Sequence, residues 1–207
     1  MSHSTQGSLN KDYKYAPKKR AVQADIYSYR WETKYMGFGG NNVGTAAKFL
    51  KSNGFTDISL YEIDPQVYDD NKKKGKKAGI NYNLRCGLTH PYNKDTFHEI
   101  DFCKSILRAG AEPFIAKYTD NFAFTFAFRM GRFHRKPFKE TIDLFLKLRG
   151  EERKGRGAWP VIYRLDTDGN ETKDGCIKVY RVSSDKGTYK VYKYKDTSIM
   201  LVITPEN

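Results

Sequence analysis

The sequence predicts a three-layer α/β fold whose sheet is mostly parallel, with antiparallel strands added at its C-terminal end. Strand and helix patterns alternate through the first two thirds of the chain, which implies right-handed crossovers and parallel pairing. The final third reads instead as short strands separated by turns. The strongest strand pattern, "NFAFTFAFR", sets Phe122, Phe124, Phe126 and Phe128 on one face and Ala123, Thr125 and Ala127 on the other. Apolar or small residues on both faces place that strand centrally, under helices.

The elements follow in chain order. "ETKYM" reads as the first strand and leads into a glycine-rich turn. Val43, Ala46, Ala47 and Leu50 then fall on one helical face over residues 43–52. Asn41 or Asn42 is available to cap that helix and Gly54 to stop it. "DISLYEID" is a buried parallel strand, and Asp64-Pro65 supplies an N-cap and a first-turn proline for the next helix. Asp69 and Asp70 come early in that helix and the lysines at 72, 73, 74, 76 and 77 late, the order its dipole favours. Gly75 weakens the helix near its end.

"INYNLRC" alternates with period two and reads as a strand. Residues 87–118 are the least legible stretch, with a short strand around "HEIDF" and a helix near 103–109. Pro137 starts a helix with Phe138, Ile142, Phe145 and Leu146 inward. "WPVIYRL", "CIKVYRV", "TYKVYKY" and "SIMLVIT" are the closing strands, with "DTDGN" and "SSDKG" as turns.

Composition bounds the function. Of 207 residues, 37 are Lys or Arg and 24 Asp or Glu, a formal net charge of +13 that attracts polyanions, nucleic acid first. Hydrophobic and aromatic contents of 39% and 14% argue against disorder despite a mean hydropathy of −0.73. No apolar run approaches the roughly 18 residues of a membrane helix. The opening stretch "MSHSTQGSLNKDYKYAPKKR" lacks the apolar core of a secretion signal, so an intracellular location is expected, in cytoplasm or nucleus, or in a host cell if the chain is viral. Cys86, Cys103 and Cys176 are far apart and form no CxxC, which disfavours disulfides and zinc and fits a reducing compartment. Residues 1–20 are expected to be a flexible basic arm, and residues 21–207 a single domain.

Gly37, Gly39 and Gly40 sit between a strand and a helix, where glycine permits a tight turn and close approach of a ligand to the helix N-terminus. Glu62 ends the next strand, where an acid accepts hydrogen bonds from both hydroxyls of a ribose. The plainer alternative is a bare glycine turn into a structural helix. The dinucleotide fingerprint GxGxxG fails because residue 42 is Asn42, and the phosphate loop fails because Gly44 is followed by Thr45 and Ala46 without a lysine. GxSxG, HExxH and metal-ligand spacings are all missing from the sequence. "DTDGNE" opens like a calcium loop but lacks its later ligands, and a hairpin turn is expected there.

The stretch "YMGFGGNNVGTAAKFL…ISLYEIDP" resembles the first two motifs of the class I S-adenosylmethionine-dependent methyltransferases. The resemblance implies a Rossmann-like sheet of seven strands ending in an antiparallel hairpin. It further implies that Gly37, Gly39 and Gly40 contact the amino-acid end of S-adenosylmethionine and that Glu62 binds its ribose. "GINYNLRCG" resembles the third strand, after which the family often carries an acid or amide near the adenine; here Gly87, Leu88 and Thr89 follow. "FAFTFAFRMGRF" and "KPFKETIDLFLKL" resemble the fifth strand and the helix after it.

The family's amino-methylating nucleic-acid enzymes carry [DNS]PP[YFW] at the fourth strand tip, and this sequence has neither that motif nor Pro-Cys. "HEIDFC" is nearest, making Asp101 the candidate catalytic residue that holds a substrate donor, with Phe102 stacking on a base. His98 and His134 read as surface histidines. "FRMGRFHRK" puts Arg129, Arg132, Arg135 and Lys136 beside Phe133 just past the strongest strand, a candidate nucleic-acid grip for RNA or DNA. The lysines of 72–77 add charge without reading sequence. Two functional readings follow: a methyltransferase acting on nucleic acid, or a catalytically inactive nucleic-acid-binding protein on the same fold, viral or part of an assembly.

Overall fold

The computed structural model describes residues 16–40, 42–102, 104–128, 135–155 and 157–206. The chain forms two compact units, one containing Arg30–Glu99 and the other Pro17–Tyr29 with Ile100–Asn207.

The first unit alternates strand and helix as the sequence predicts. β1 (Lys34–Phe38) leads to α2 (Val43–Ser52), β2 (Asp57–Glu62), α3 (Pro65–Ala78), β3 (Asn81–Leu84) and, after a 3-10 turn at Gly87–Thr89, β4 (Thr96–Asp101). β1 pairs in parallel with β2 and β4, and β2 with β3, each helical crossover returning the chain in the same direction. α2 spans the predicted residues because Val43, Ala47 and Leu50 are buried along one face. α3 starts where Asp64 accepts hydrogen bonds from the Gln66 and Val67 amides, and ends at Gly79 with φ 64°. It runs through Gly75 rather than fraying there. A methyl group at Gly75 would come 3.0 Å from Cβ of Tyr82, so the glycine lets helix and strand approach closely. The core gathers Tyr35, Phe55 and Phe97, with ring centroids 5.1–6.3 Å apart.

The second unit opens with α1 (Pro17–Tyr27), so Pro17–Arg20, at the end of the expected arm, form a first helical turn. Residues 1–15 lie outside the described residues. Lys18 Nζ donates to the Lys195 carbonyl at 2.6 Å and Ala21, Val22 and Ile26 are buried. After α4 (Ile106–Ala109) and α5 (Glu112–Ile115) come β5 (Phe122–Phe128), α6 (Arg135–Leu148), β6 (Val161–Leu165), β7 (Ile177–Ser183), β8 (Thr188–Lys195) and β9 (Ile199–Pro205). β5, β9, β8, β7 and β6 pair antiparallel in that order. α6 covers the face bearing Phe122, Phe124 and Tyr189 through Phe145, at ring distances of 5.2–6.5 Å. α1 covers the opposite face, where Asp25 accepts from Tyr163 at 2.6 Å and from Tyr192 at 2.5 Å. Helices on both faces make this unit three-layered.

Hydrogen bonding links the strands as β3-β2-β1-β4-β5-β9-β8-β7-β6, a Rossmann-like α/β sheet, parallel first and antiparallel at its C-terminal strands. The nine strands exceed the seven that the resemblance implies by the hairpin β6–β7. Among the described residues no helix is long and apolar enough to cross a membrane.

Candidate functional site

The glycine loop leaves β1 at Phe38 and enters α2 at Val43. The Gly39 amide donates to the Tyr61 carbonyl at 3.0 Å, which sets the loop against the end of β2 beside Glu62. The three glycines then differ. A methyl group at Gly37 would meet the Tyr35 hydroxyl at 2.6 Å, and one at Gly39 would meet Cε2 of Tyr82 at 2.5 Å. Both are therefore required by neighbouring tyrosine rings. Gly40, at φ +57°, faces open space, as does Gly44 in the first turn of α2. The Asn42 side chain makes no capping hydrogen bond, so the opening amides of α2 are not satisfied from that side chain.

Glu62 is half-buried, and its Oε1 accepts from the amides of Ile63 at 2.8 Å and Asp64 at 3.0 Å. Its Oε2 makes no hydrogen bond among the described residues. One oxygen anchors the carboxylate to the strand end and the other is available to a ligand. Tyr82 lies alongside, stacked on Tyr68 at 5.0 Å, with its hydroxyl buried and without a partner among the described residues. Burial first, then the negative charge of Glu62, pushes the Tyr82 phenol well above its usual range.

A second cluster in this unit was invisible in the sequence. The Tyr61 hydroxyl lies 2.7 Å from Nδ1 of His90 and accepts from Arg85 at 3.2 Å. His98 is fully buried rather than on the surface, with Nε2 3.1–3.3 Å from the backbone of Asn93 and its ring beside Tyr92 and His90. Its position in the middle of β4 explains this, since the inward face of a strand is closed to water. His134 lies outside the described residues.

In the second unit Asp101 ends β4. Its carboxylate is 14% exposed and paired with Lys19 of α1 at 3.0 Å. Phe102 stacks on Phe126, with centroids 5.4 Å apart and planes 2° from parallel, so its ring belongs to the core rather than to an incoming base. Of the basic cluster, Arg129, Arg132 and Phe133 lie outside the described residues; Arg135 and Lys136 form the first turn of α6, and their side chains are likewise outside them. "DTDGN" is a turn closed by Asp166, which accepts from the amides of Asp168 at 2.8 Å and Asn170 at 2.9 Å.

No family model matches the sequence, and no curated protein matches it. Among solved structures, the chain is similar to the 23S rRNA methyltransferase ErmE, with a TM-score of 0.50 and 13% identity over 93% of this chain and 69% of that one. It is also similar to the tRNA (m1A58) methyltransferase TrmI from Aquifex aeolicus, with a TM-score of 0.49 and 11% identity over 95% and 72% of the two chains. A third is the RNA methyltransferase from Salinibacter ruber in complex with S-adenosyl-L-homocysteine, at 0.42 and 14% over 57% and 81%. At these identities the likeness concerns the fold alone, and the match to ErmE carries it: the chain has a Rossmann-like α/β fold similar to that of ErmE.

Proposed function

We propose that the protein binds S-adenosylmethionine at its glycine loop and transfers the methyl group directly to nucleic acid inside the cell, residues 21–207 acting as one methyltransferase-type domain. The observation that carries this reading is the pairing of an open, left-handed Gly40 before α2 with a Glu62 carboxylate that is anchored by one oxygen and available at the other. The residues present fit the cofactor. The opening amides of α2 suit its carboxylate end. Oε2 of Glu62 suits the ribose hydroxyls, and the buried Tyr82 hydroxyl, beside Gly39 and within the field of Glu62, is a further hydrogen-bonding group. When bound, the cofactor supplies the electrophilic methyl group. The protein's part is then to hold the acceptor in line, where proximity supplies most of the acceleration. Asp101 would orient a donor hydrogen of the acceptor, with Lys19 setting its position. The RNA-methyltransferase names of the neighbours and the +13 charge support nucleic acid as the substrate class.

Isothermal titration with S-adenosylmethionine tests the reading. Binding in the micromolar range that Glu62→Ala abolishes supports it; no heat at high micromolar cofactor sinks it. A non-catalytic nucleic-acid-binding protein on this fold is the second reading. It is favoured by the rings of Tyr35 and Tyr82, which already account for Gly37 and Gly39, and by the ion pair that already engages Asp101. That reading expects steeply salt-dependent nucleic-acid binding that is indifferent to added cofactor.

A further inference from the structure

The antiparallel sheet of the second unit carries a row of three cations, two of which, Arg164 and Lys178, have no ion-pair partner among the described residues. Arg164 on β6 pairs with Lys178 on β7, and Lys178 pairs with Lys193 on β8, so the side chains stand side by side on one face. Adjacent strands are about 4.8 Å apart, and like charges set directly opposite one another are destabilising. Neither Arg164 nor Lys178 has an acid within ion-pair distance among the described residues. The opposite face treats the same problem differently. There Arg181 faces Lys190 across the ladder, and Glu206 neutralises Arg181 through two contacts of 2.6 and 2.7 Å. An acid thus neutralises the Arg181–Lys190 pair, while none lies within ion-pair distance of the Arg164–Lys178 pair among the described residues.

Half-buried aromatic rings adjoin this row. Tyr180 is one step along the same face from Lys178, Phe138 of α6 lies 4.8 Å from it, and Trp159 lies 5.6 Å from Phe138. Lys193 sits 4.9 Å above the Phe138 ring, and the Trp159 indole N–H is buried without a partner among the described residues. Cations interleaved with rings match the alternation of phosphate and base along a strand. A vesicle surface offers phosphates without bases, and an acidic peptide offers neither.

We infer that this face, centred on Arg164, Lys178 and Lys193 and flanked by Phe138, Trp159 and Tyr180, binds the backbone of single-stranded nucleic acid. The inference rests on the nucleic-acid reading above and assigns a surface to it. Arg135 and Lys136 belong to the helix that carries Phe138.

Fluorescence polarisation with a labelled oligouridylate of about a dozen nucleotides tests it, comparing the full chain with an Arg164→Ala/Lys178→Ala double variant. The double variant is expected to bind about tenfold more weakly, and its log–log salt slope to flatten by about 1.4, at roughly 0.7 per single-strand phosphate contact. Its melting temperature should equal or exceed the parent's, since the substitution removes opposed like charges, and its titration with S-adenosylmethionine should match the parent's. Unchanged affinity and slope would overturn the surface. If Arg135→Ala/Lys136→Ala weakens binding while the double variant does not, nucleic-acid binding stands but this face is not its site. Failure of the parent protein to bind the oligonucleotide at low salt removes both the surface and the reading. Retained oligonucleotide binding with loss of binding to phosphatidylserine vesicles would reassign the face to a lipid surface and overturn the inference.

Discussion

The ring of Tyr82 occupies the space a side chain at residue 39 would need: a methyl group on Gly39 would lie 2.5 Å from Cε2 of the tyrosine. The glycine that most resembles a cofactor motif is therefore also a packing requirement, and the two roles can be separated by substitution. Gly39→Ala should lower stability by about 1–3 kcal/mol, because the ring is already confined by Tyr68 and Gly75 and cannot yield freely. Chemical denaturation measures this. A neutral result would mean that the ring has room to move.

Tyr82→Phe should act in the opposite direction. The hydroxyl is buried without a hydrogen bond among the described residues, a condition that costs about 1–3 kcal/mol and is retained in proteins chiefly where the group serves something else. The variant is expected to melt higher than the parent while binding S-adenosylmethionine more weakly. Greater stability with unaltered cofactor affinity would remove Tyr82 from the site.

Glu62 has a structural duty as well as a proposed one, and Glu62→Gln divides them. The amide oxygen of glutamine can still accept from the Ile63 and Asp64 amides, so the melting temperature should stay within about 2 °C, a change of roughly 0.5 kcal/mol. Ribose recognition loses its second anionic acceptor, and cofactor affinity should fall about tenfold or more. Calorimetry beside thermal melting reads both; equal affinity for the two proteins would leave Glu62 a strand-end anchor only.

Asp101→Asn addresses the catalytic assignment. If Asp101 orients the acceptor, kcat for methyl transfer to RNA should drop by about two orders of magnitude with little change in KM for S-adenosylmethionine. Lys19→Ala breaks a partly exposed ion pair and should cost no more than about 1 kcal/mol of stability. Transfer by the Asp101→Asn variant at the parent rate would exclude the residue.

Acid stability should depend on Glu151. It is buried, which raises its pKa, but hydrogen bonds from Ser184 and Tyr189 at 2.6 Å and from Arg149 at 2.8 Å, with the Arg149 charge, outweigh burial and lower it. A carboxyl lowered in the folded state contributes its stability above the unfolded glutamate value of about 4.3 and loses it as pH falls through the folded value. Stability of the parent should therefore decline below about pH 4.5, and Glu151→Gln should be less stable near neutrality with a shallower acid slope. Urea titrations between about pH 3 and pH 7 test this, and parallel slopes for the two proteins would contradict it.

Where a residue's neighbours are its chain neighbours, the sequence was enough. The period of Val43, Ala47 and Leu50 placed α2, alternation placed β5, and Asp64-Pro65 placed the start of α3. α1 was not legible, because the polar run from Pro17 to Arg20 gains order from contacts with Lys195 and Asp101 far along the chain. Residues 87–118 were obscure because their helices are single turns whose buried anchors, Ile106 and Ile115, have no periodic companions.

The candidate site divides along the same line. By itself the sequence determined the alternating order of strands and helices, the glycine turn, the acid at the end of β2 and the excess of positive charge, since each is written in adjacent or periodic letters. Only the tertiary structure decided that Gly37 and Gly39 make room for tyrosines, that Asp101 is held by Lys19, that Phe102 stacks in the core, and that Arg164, Lys178 and Lys193 stand in one row. Those relationships join residues from different elements, and which side chains meet is set by strand register and packing, which no local pattern encodes.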